Sequence, residues 1–290
     1  MYFHSVFDKL EEMREIFFLL MKDGVFMKRD GHIHTAFCPH GTDDQLDAYV
    51  EKAIRSGFTD ITFAEHAPLP LSFTDPTPLR DSAMKREDVP AYLDEISRVK
   101  DAYKKDIRIR TGFEVDYIQG FESEIRDFLD EFGPLLDDAI LSVHFLQVGR
   151  EYICADFSKE AFMELAGKAG SIESAYELYY DTLAASIRAD LGEYKPKRIG
   201  HPTLIRKFQL AHGERIEDSQ QIRQMIELIG KAGYEIDMNS AGLSKPDCRE
   251  PYPPMPYIEY ARFLGIPLVF GSDAHSVKGL HNHYEKFYNE

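Results

Sequence analysis

The sequence predicts an α/β fold built as a closed barrel of parallel strands. Three observations lead to it. The chain of 290 residues is 43% hydrophobic, enough for a substantial core, which excludes disorder as its main description. Seven short apolar runs alternate with six helical patterns, and such alternation implies right-handed βαβ units around a parallel sheet. Seven strands spread over about 260 residues suit a closed barrel better than an open sheet, and barrels of this length form one domain.

The elements follow in order. Residues 1–26 read as one amphipathic helix ending at Lys22-Asp23-Gly24, an N-terminal helical extension outside a single barrel domain at 27–290. Its apolar run, Ile16-Phe17-Phe18-Leu19-Leu20-Met21, is far shorter than the ~20 residues of a membrane span. Asp8, Glu11, Glu12 and Glu15 before it are the wrong flank for a signal peptide. Met27 then opens what reads as a second beginning. Strands are predicted at 31–35, 60–65, 107–115, 139–145, 198–202, 234–239 and 267–272. Helices are predicted at 44–56, 88–104, 121–132, 174–189, 219–232 and 256–264. Gly57, Gly133, Gly233 and Gly265 each close a helical run, as glycine does where the chain turns left-handed after a last turn. The stretches 68–78 and 245–256 are rich in proline and read as long loops, the kind that cover a barrel's mouth.

Composition limits the partners. Fifty acidic side chains against 34 basic ones give a net charge of -16. That balance disfavours long nucleic acid and anionic membrane surfaces, both of which reward clustered lysine and arginine. Cys38, Cys154 and Cys248 are odd in number, far apart and without a CxxC spacing. They point to a reducing compartment and hence to the cytoplasm. Cys38 lies inside a histidine cluster and is read as a buried small residue in preference to a ligand for a soft metal. No oligomeric state is assigned.

The histidines carry the functional signal. His32 and His34 form an HxH on the first strand, where residues two apart point to one face. His40 follows in the next loop. Glu65 and His66 close the second strand, Glu114 closes the third, His144 ends the fourth and His201 the fifth. Asp273 and His275 close the seventh. In a parallel barrel these C-terminal ends share one mouth, so seven of the 11 histidines converge there. Imidazole with carboxylate and no thiolate suits Zn, Mn or Fe. The nine candidate ligands, His32, His34, His40, His66, Glu114, His144, His201, Asp273 and His275, are too many for one ion. Two or three divalent ions sharing a bridging carboxylate, most naturally Glu114, fit better. Closely spaced ions generate hydroxide near neutral pH and clamp the oxygens of an in-line displacement at phosphorus. The expected chemistry is therefore phosphoester hydrolysis.

The order HxH, H, EH, GFEVD, SVH, GHP and SDAH resembles the PHP (polymerase and histidinol phosphatase) family of metal-dependent phosphoesterases, from Met27 to the C-terminus. His66-Ala67-Pro68, Gly112-Phe113-Glu114-Val115-Asp116 and Ile199-Gly200-His201-Pro202 look like its stand-alone histidinol-phosphate phosphatase branch. The resemblance implies a distorted (β/α)7 TIM-like barrel with a trinuclear metal centre. Carried over residue by residue, one ion would take His32, His34, Glu114 and Asp273. A second would take Glu114, His144 and His201, and a third His40, His66 and His275. The implied reaction converts L-histidinol phosphate to L-histidinol and phosphate in histidine biosynthesis. One alternative keeps the fold and changes the substrate to a nucleotide, a sugar phosphate or a DNA 3′ end. Another, of a different class, is a metal-binding regulatory module without turnover.

A phosphate ester also needs donors beyond the metals, and arginine suits bidentate contact with its oxygens. Arg206, with Lys207 beside it just past the fifth strand, is the first candidate, for phosphate binding and for neutralising charge in the transition state. Arg249 and Lys245, in the loop after the sixth strand, come next. Arg198, before the fifth strand, reads as structural. Asn239, ending the sixth strand, is expected to hydrogen-bond substrate or a water. Asp273 is a candidate proton source for the leaving oxygen, and Glu65 and Asp116 are candidates for holding a cationic amine. His281 and His283 read as solvated surface.

Overall fold

The computed structural model describes residues 27–288; the predicted helix at 1–26 lies outside them. Seven parallel strands form one sheet in the order β1 (Arg29–Ile33), β2 (Asp60–His66), β3 (Arg108–Asp116), β4 (Asp138–Ser142), β7 (Arg198–Ile199), β8 (Glu235–Asn239) and β9 (Leu268–Gly271). The connecting helices are α1 (Leu46–Arg55), α2 (Val89–Tyr103), α3 (Glu122–Phe132), α4 (Lys159–Ala169), α5 (Ile172–Arg188), α6 (Ser219–Lys231) and α7 (Met255–Phe263). All seven predicted strands and the six helices predicted within residues 44–264 are present, with shifted ends. No helix among the described residues is long and apolar enough to cross a membrane.

The sheet curls until β9 meets β1, and the seam determines where the histidines sit. Beyond the last strand residues, the Asp273 N–H donates to the His32 carbonyl at 2.8 Å, and the His34 N–H to the Ala274 carbonyl at 3.0 Å. Inside the seam the buried Asp30 carboxylate takes the place of a ladder partner. Its Oδ1 accepts from the backbone N–H groups of Ser272 at 3.0 Å and His32 at 3.3 Å. His281 completes this arrangement. It is buried, contrary to the surface expectation, stacked 3.5 Å from Phe58, with Nδ1 2.8 Å from Asp30 Oδ2. His283 is partly buried with Nε2 2.9 Å from Ser244 Oγ.

Two features are additional to those expected. Residues Phe145–Val148 (β5) and Glu151–Cys154 (β6) form an antiparallel hairpin beyond the fourth barrel strand. Strands this short read in sequence as an extension of the strand before them. Helix α4 follows, with Ser158 Oγ accepting from the Ala161 N–H at 3.1 Å as its N-cap. Gly57, Gly233 and Gly265 take positive φ as expected, but Gly133 does not; a Cβ there would lie 2.3 Å from Tyr194, so close packing accounts for that glycine. Away from the mouth, Arg198 is the structural residue expected of it. Buried, it donates to the Gly31 carbonyl and to Asp138 Oδ2, both at 2.8 Å.

Candidate metal centre

Alternation along β1 sends His32 and His34 inward together, and both are fully buried. Each Nδ1 meets a carboxylate, His32 on Asp237 Oδ2 at 2.8 Å and His34 on Glu65 Oε1 at 3.2 Å. An Nδ1–H given to a carboxylate leaves Nε2 as a lone pair. Those two Nε2 atoms stand 3.2 Å apart. Glu114 Oε2 lies 3.2 Å from that of His32, and Asp273 Oδ1 3.2 Å from that of His34. Lone pairs and anionic oxygens converging in a dry interior repel each other unless a cation sits among them. The donor set therefore fits divalent metal ions.

Glu114 is central. Its Oε1 lies 2.7 Å from His201 Nε2 and accepts from Ser142 Oγ at 2.6 Å, and its Oε2 lies 3.2 Å from His66 Nδ1. His144 Nε2 approaches Oε1 at 3.8 Å, while its Nδ1 is held by Asp116 Oδ1 at 2.7 Å. Three groups bring their ligand atoms within 4.8 Å of one another: His32, His34 and Asp273; His66, Glu114 and His144; and His34, Cys38, His66 and His275. Cys38 thus joins His66 and His275, whereas His40 stays exposed at the rim with Nε2 3.6 Å from Asp81. His201 and Asp273 both adopt positive φ, 25° and 52°. That backbone is uncommon for residues with a Cβ and collects where function requires it.

The electrostatics match a cation site. Burial lowers the basicity of His32, yet Glu114, Asp237 and Asp273 override it and raise its pKa to about 10. Burial likewise works against His144, and Asp116 above all raises it to about 10. Burial leaves His66 at about 3, against the pull of Glu114 and helped by the positive field of His34 and His144. The carboxylates around His32 and His144 therefore favour positive charge at this place.

The cluster floors a cavity of about 490 Å³, walled by Phe145, Phe157, Leu204 and Tyr252 and reached by Lys207, Lys245 and Asp156. The structure corrects several expected roles. Arg206 turns away from this cavity into an ion cluster, Nε on Glu250 at 2.5 Å and Nη1 on Asp218 at 2.6 Å. Nearby carboxylates compete for its charge, and it lines a different cavity. Asn239 is buried and does not line the cavity. Its amide donates to Asp237 and Asp273, each at 3.1 Å, and accepts from the Ala241 N–H at 3.0 Å. Arg249 is exposed and donates to the Pro246 carbonyl at 3.1 Å, outside the cavity wall. Lys207 does reach the cavity, its Nζ donating to Asp156 Oδ2 at 2.9 Å and to the Asp156 carbonyl at 2.6 Å. Glu65 and Asp116 stand behind imidazoles.

The sequence reading missed Asp237, Asp30, Ser142 and Asp156. Asp237 was legible in part, since it sits two residues before Asn239 on β8 and so shares its inward face.

Comparison with known proteins agrees with this geometry. Residues 30–241 match the PHP domain. A histidinol-phosphatase of Bacillus subtilis (strain 168) is 50% identical over 264 residues, covering 90% of this chain and 98% of that protein. A crystal structure from Listeria monocytogenes, given the unconfirmed name histidinol phosphatase, superposes with a TM-score of 0.86 at 41% identity, covering 90% of this chain and all of that one (100%). A histidinol phosphate phosphatase from Lactococcus lactis, complexed with Zn, L-histidinol and phosphate, shares the fold at a TM-score of 0.67 and 20% identity, covering 90% of this chain and 92% of that one.

Proposed function

The chain belongs to the PHP domain family, and on that premise we propose that it is a metal-dependent phosphatase that hydrolyses L-histidinol phosphate to L-histidinol and phosphate. The observation that carries this is the convergence of imidazole and carboxylate lone pairs beneath an open cavity, in a chain half-identical to a histidinol-phosphatase over nearly its whole length. That reaction belongs to histidine biosynthesis, and we propose the cytoplasm as its compartment, a reading that the odd number and wide spacing of the three cysteines support. The described residues, 27–288, act as one barrel domain.

Three ion positions account for the ligands best. The first would be held by His32, His34, Glu114 and Asp273, and the second by Glu114, His144 and His201. The third would be held by His66 and His275 with His40 at the rim. Zn, Mn and Fe all suit these donors. Ions bound there supply Lewis acidity toward phosphoryl oxygens and make water a nucleophile near neutral pH.

The protein's own residues do the rest. Asp237, Glu65 and Asp116 fix three imidazoles at Nδ1, so that Nε2 faces the cavity floor. Ser142 holds one oxygen of Glu114, and Asn239 holds one of Asp273. Asp273 is the candidate to take a proton from the attacking water and return it to the departing alkoxide. Lys207 takes the phosphate-contacting role expected of Arg206, because its ammonium group reaches the cavity. Phe145, Phe157, Leu204 and Tyr252 offer an apolar wall for the imidazole of the substrate and keep water from it.

A substrate panel tests the reading, run on freshly purified protein beside elemental analysis. Histidinol phosphate should be turned over far faster than nucleotide, sugar or nitrophenyl phosphates. Equal rates across the panel would remove the specific assignment and leave a general phosphomonoesterase.

A further inference from the structure

The substrate proposed above carries two opposite charges: a phosphate, and an ammonium group on the carbon next to the ester methylene. The metal cluster and Lys207 answer the phosphate. The ammonium requires a carboxylate that faces the cavity and has acceptor capacity to spare. A carboxylate offers about four lone-pair sites. Glu65 has filled its own: it accepts from His34 Nδ1, from both the N–H and the hydroxyl of Thr35, and from the His66 N–H. Glu114, Asp116 and Asp273 line the cavity, but each contacts ligand imidazoles directly. Asp156 is different. It lines the same cavity, and among the described residues its side-chain partners are Lys207, on Oδ2 at 2.9 Å, and the weak donor Cys154 Sγ, 3.4 Å from Oδ1.

We infer that Asp156 receives the substrate's ammonium group, so that the Asp156–Lys207 pair reads the two charges of an aminoalkyl phosphate at once. Position supports this. Asp156 follows the β5–β6 hairpin, whose Phe145 and Cys154 face the cavity, and Phe157 beside it adds to the apolar wall. Without substrate the two side chains neutralise each other. With substrate bound, Lys207 swings its charge toward phosphate and Asp156 turns its free oxygen toward the amine, so neither charge is left alone. An ester lacking the amine leaves a desolvated carboxylate without its counter-charge, the kind of rejection that polar sites achieve most strongly.

This inference rests on the histidinol-phosphate reading, and the test separates the two. Wild-type protein and Asp156→Asn are compared on L-histidinol phosphate and on 3-(imidazol-4-yl)propyl phosphate, the same ester without the amine. The wild type should prefer the amino ester. In Asp156→Asn the ratio of the two kcat/KM values should fall at least tenfold, chiefly through KM for the amino ester, and inhibition by L-histidinol should weaken in step. A residue that merely positions Lys207 would lower both activities together, and an unchanged ratio overturns the inference. If Asp156→Asn does not fold, judged by circular dichroism, the ratio is read from Asp156→Asn/Lys207→Met, which leaves no unpaired charge. A wild type with no preference between the two esters overturns the histidinol-phosphate reading and the inference with it.

Discussion

Replacing Asp237 tests whether the centre is built from its carboxylate supports as well as its ligands. Asp237 is fully buried, and its Oδ2 serves two donors, His32 Nδ1 at 2.8 Å and Asn239 Nδ2 at 3.1 Å. Asn239 in turn holds Asp273 at 3.1 Å, so one oxygen steadies two of the residues proposed for the same ion position. Asp237→Ala removes both bonds and leaves the His32 N–H unpartnered in the interior. Hydrogen bonds to charged groups contribute about 1.5–3 kcal/mol each, and part of that is returned by local rearrangement or an entering water. A net loss of about 1.4–2.8 kcal/mol in metal binding, or one to two decades in affinity, is the expected size, in line with losses of support behind metal-bound histidines. Asp237→Asn should fall between. Its carbonyl oxygen can replace Oδ2, and its amide can occupy the place of Oδ1, which has no hydrogen-bond partner among the described residues. The assay is metal retention: ions per chain after dialysis against graded chelator, with activity restored by added metal as a second readout. If Asp237→Ala retains wild-type stoichiometry at every chelator concentration, the idea that this carboxylate orients His32 is wrong.

Glu114→Gln should abolish phosphatase activity with the far-ultraviolet circular dichroism unchanged, because Glu114 contacts His32, His66 and His201 at once; retained activity would refute the site. Arg206→Met should lower stability by about 3 kcal/mol, as breaking a largely buried ion cluster does, yet change kcat/KM for the phosphate ester less than threefold; a loss tenfold or greater would return Arg206 to the active site. The third concerns acid. Burial works to raise the carboxyl pKa of Asp138, and the Arg198 and Arg29 guanidinium groups overcome it and hold it below the usual range. A carboxylate depressed in the folded state stabilises the fold above its unfolded pKa of about 3.9 and loses that contribution as pH falls through the lower folded value. Thermal melts should therefore show Asp138→Asn well below wild type at pH 7 and the gap narrowing below pH 4. A gap independent of pH would show that Asp138 contributes by shape alone.

Much of the centre was legible before any coordinates, and the residues explain why. An HxH on a strand must send both imidazoles to one face, because the period of a strand is two. Ligands at the C-terminal ends of parallel strands must share a mouth, because a parallel barrel has only one such end. Those two rules place His32, His34, His66, Glu114, His144, His201 and Asp273 together without knowledge of a single distance. Arg206 misled because proximity in sequence to the fifth strand does not set a side chain's direction. The chain after His201 winds into a short 3-10 turn at Leu204–Phe208, which aims Lys207 into the cavity and Arg206 away from it.

What the sequence determined by itself, then, is everything that depends on period and order: seven strands, the mouth, the ligand types and the PHP assignment. What only the tertiary structure decided is which groups already have partners. Glu65, Asp116, Asn239 and Arg206 all looked available as isolated residues, and each is committed to a neighbour distant in sequence. Asp156 remains with acceptor capacity over the cavity because a hairpin invisible to periodicity carries it there. Hydrogen-bond capacity is finite and is used up by contacts between segments far apart in the chain, so no local pattern of residues can report what is left over for a ligand.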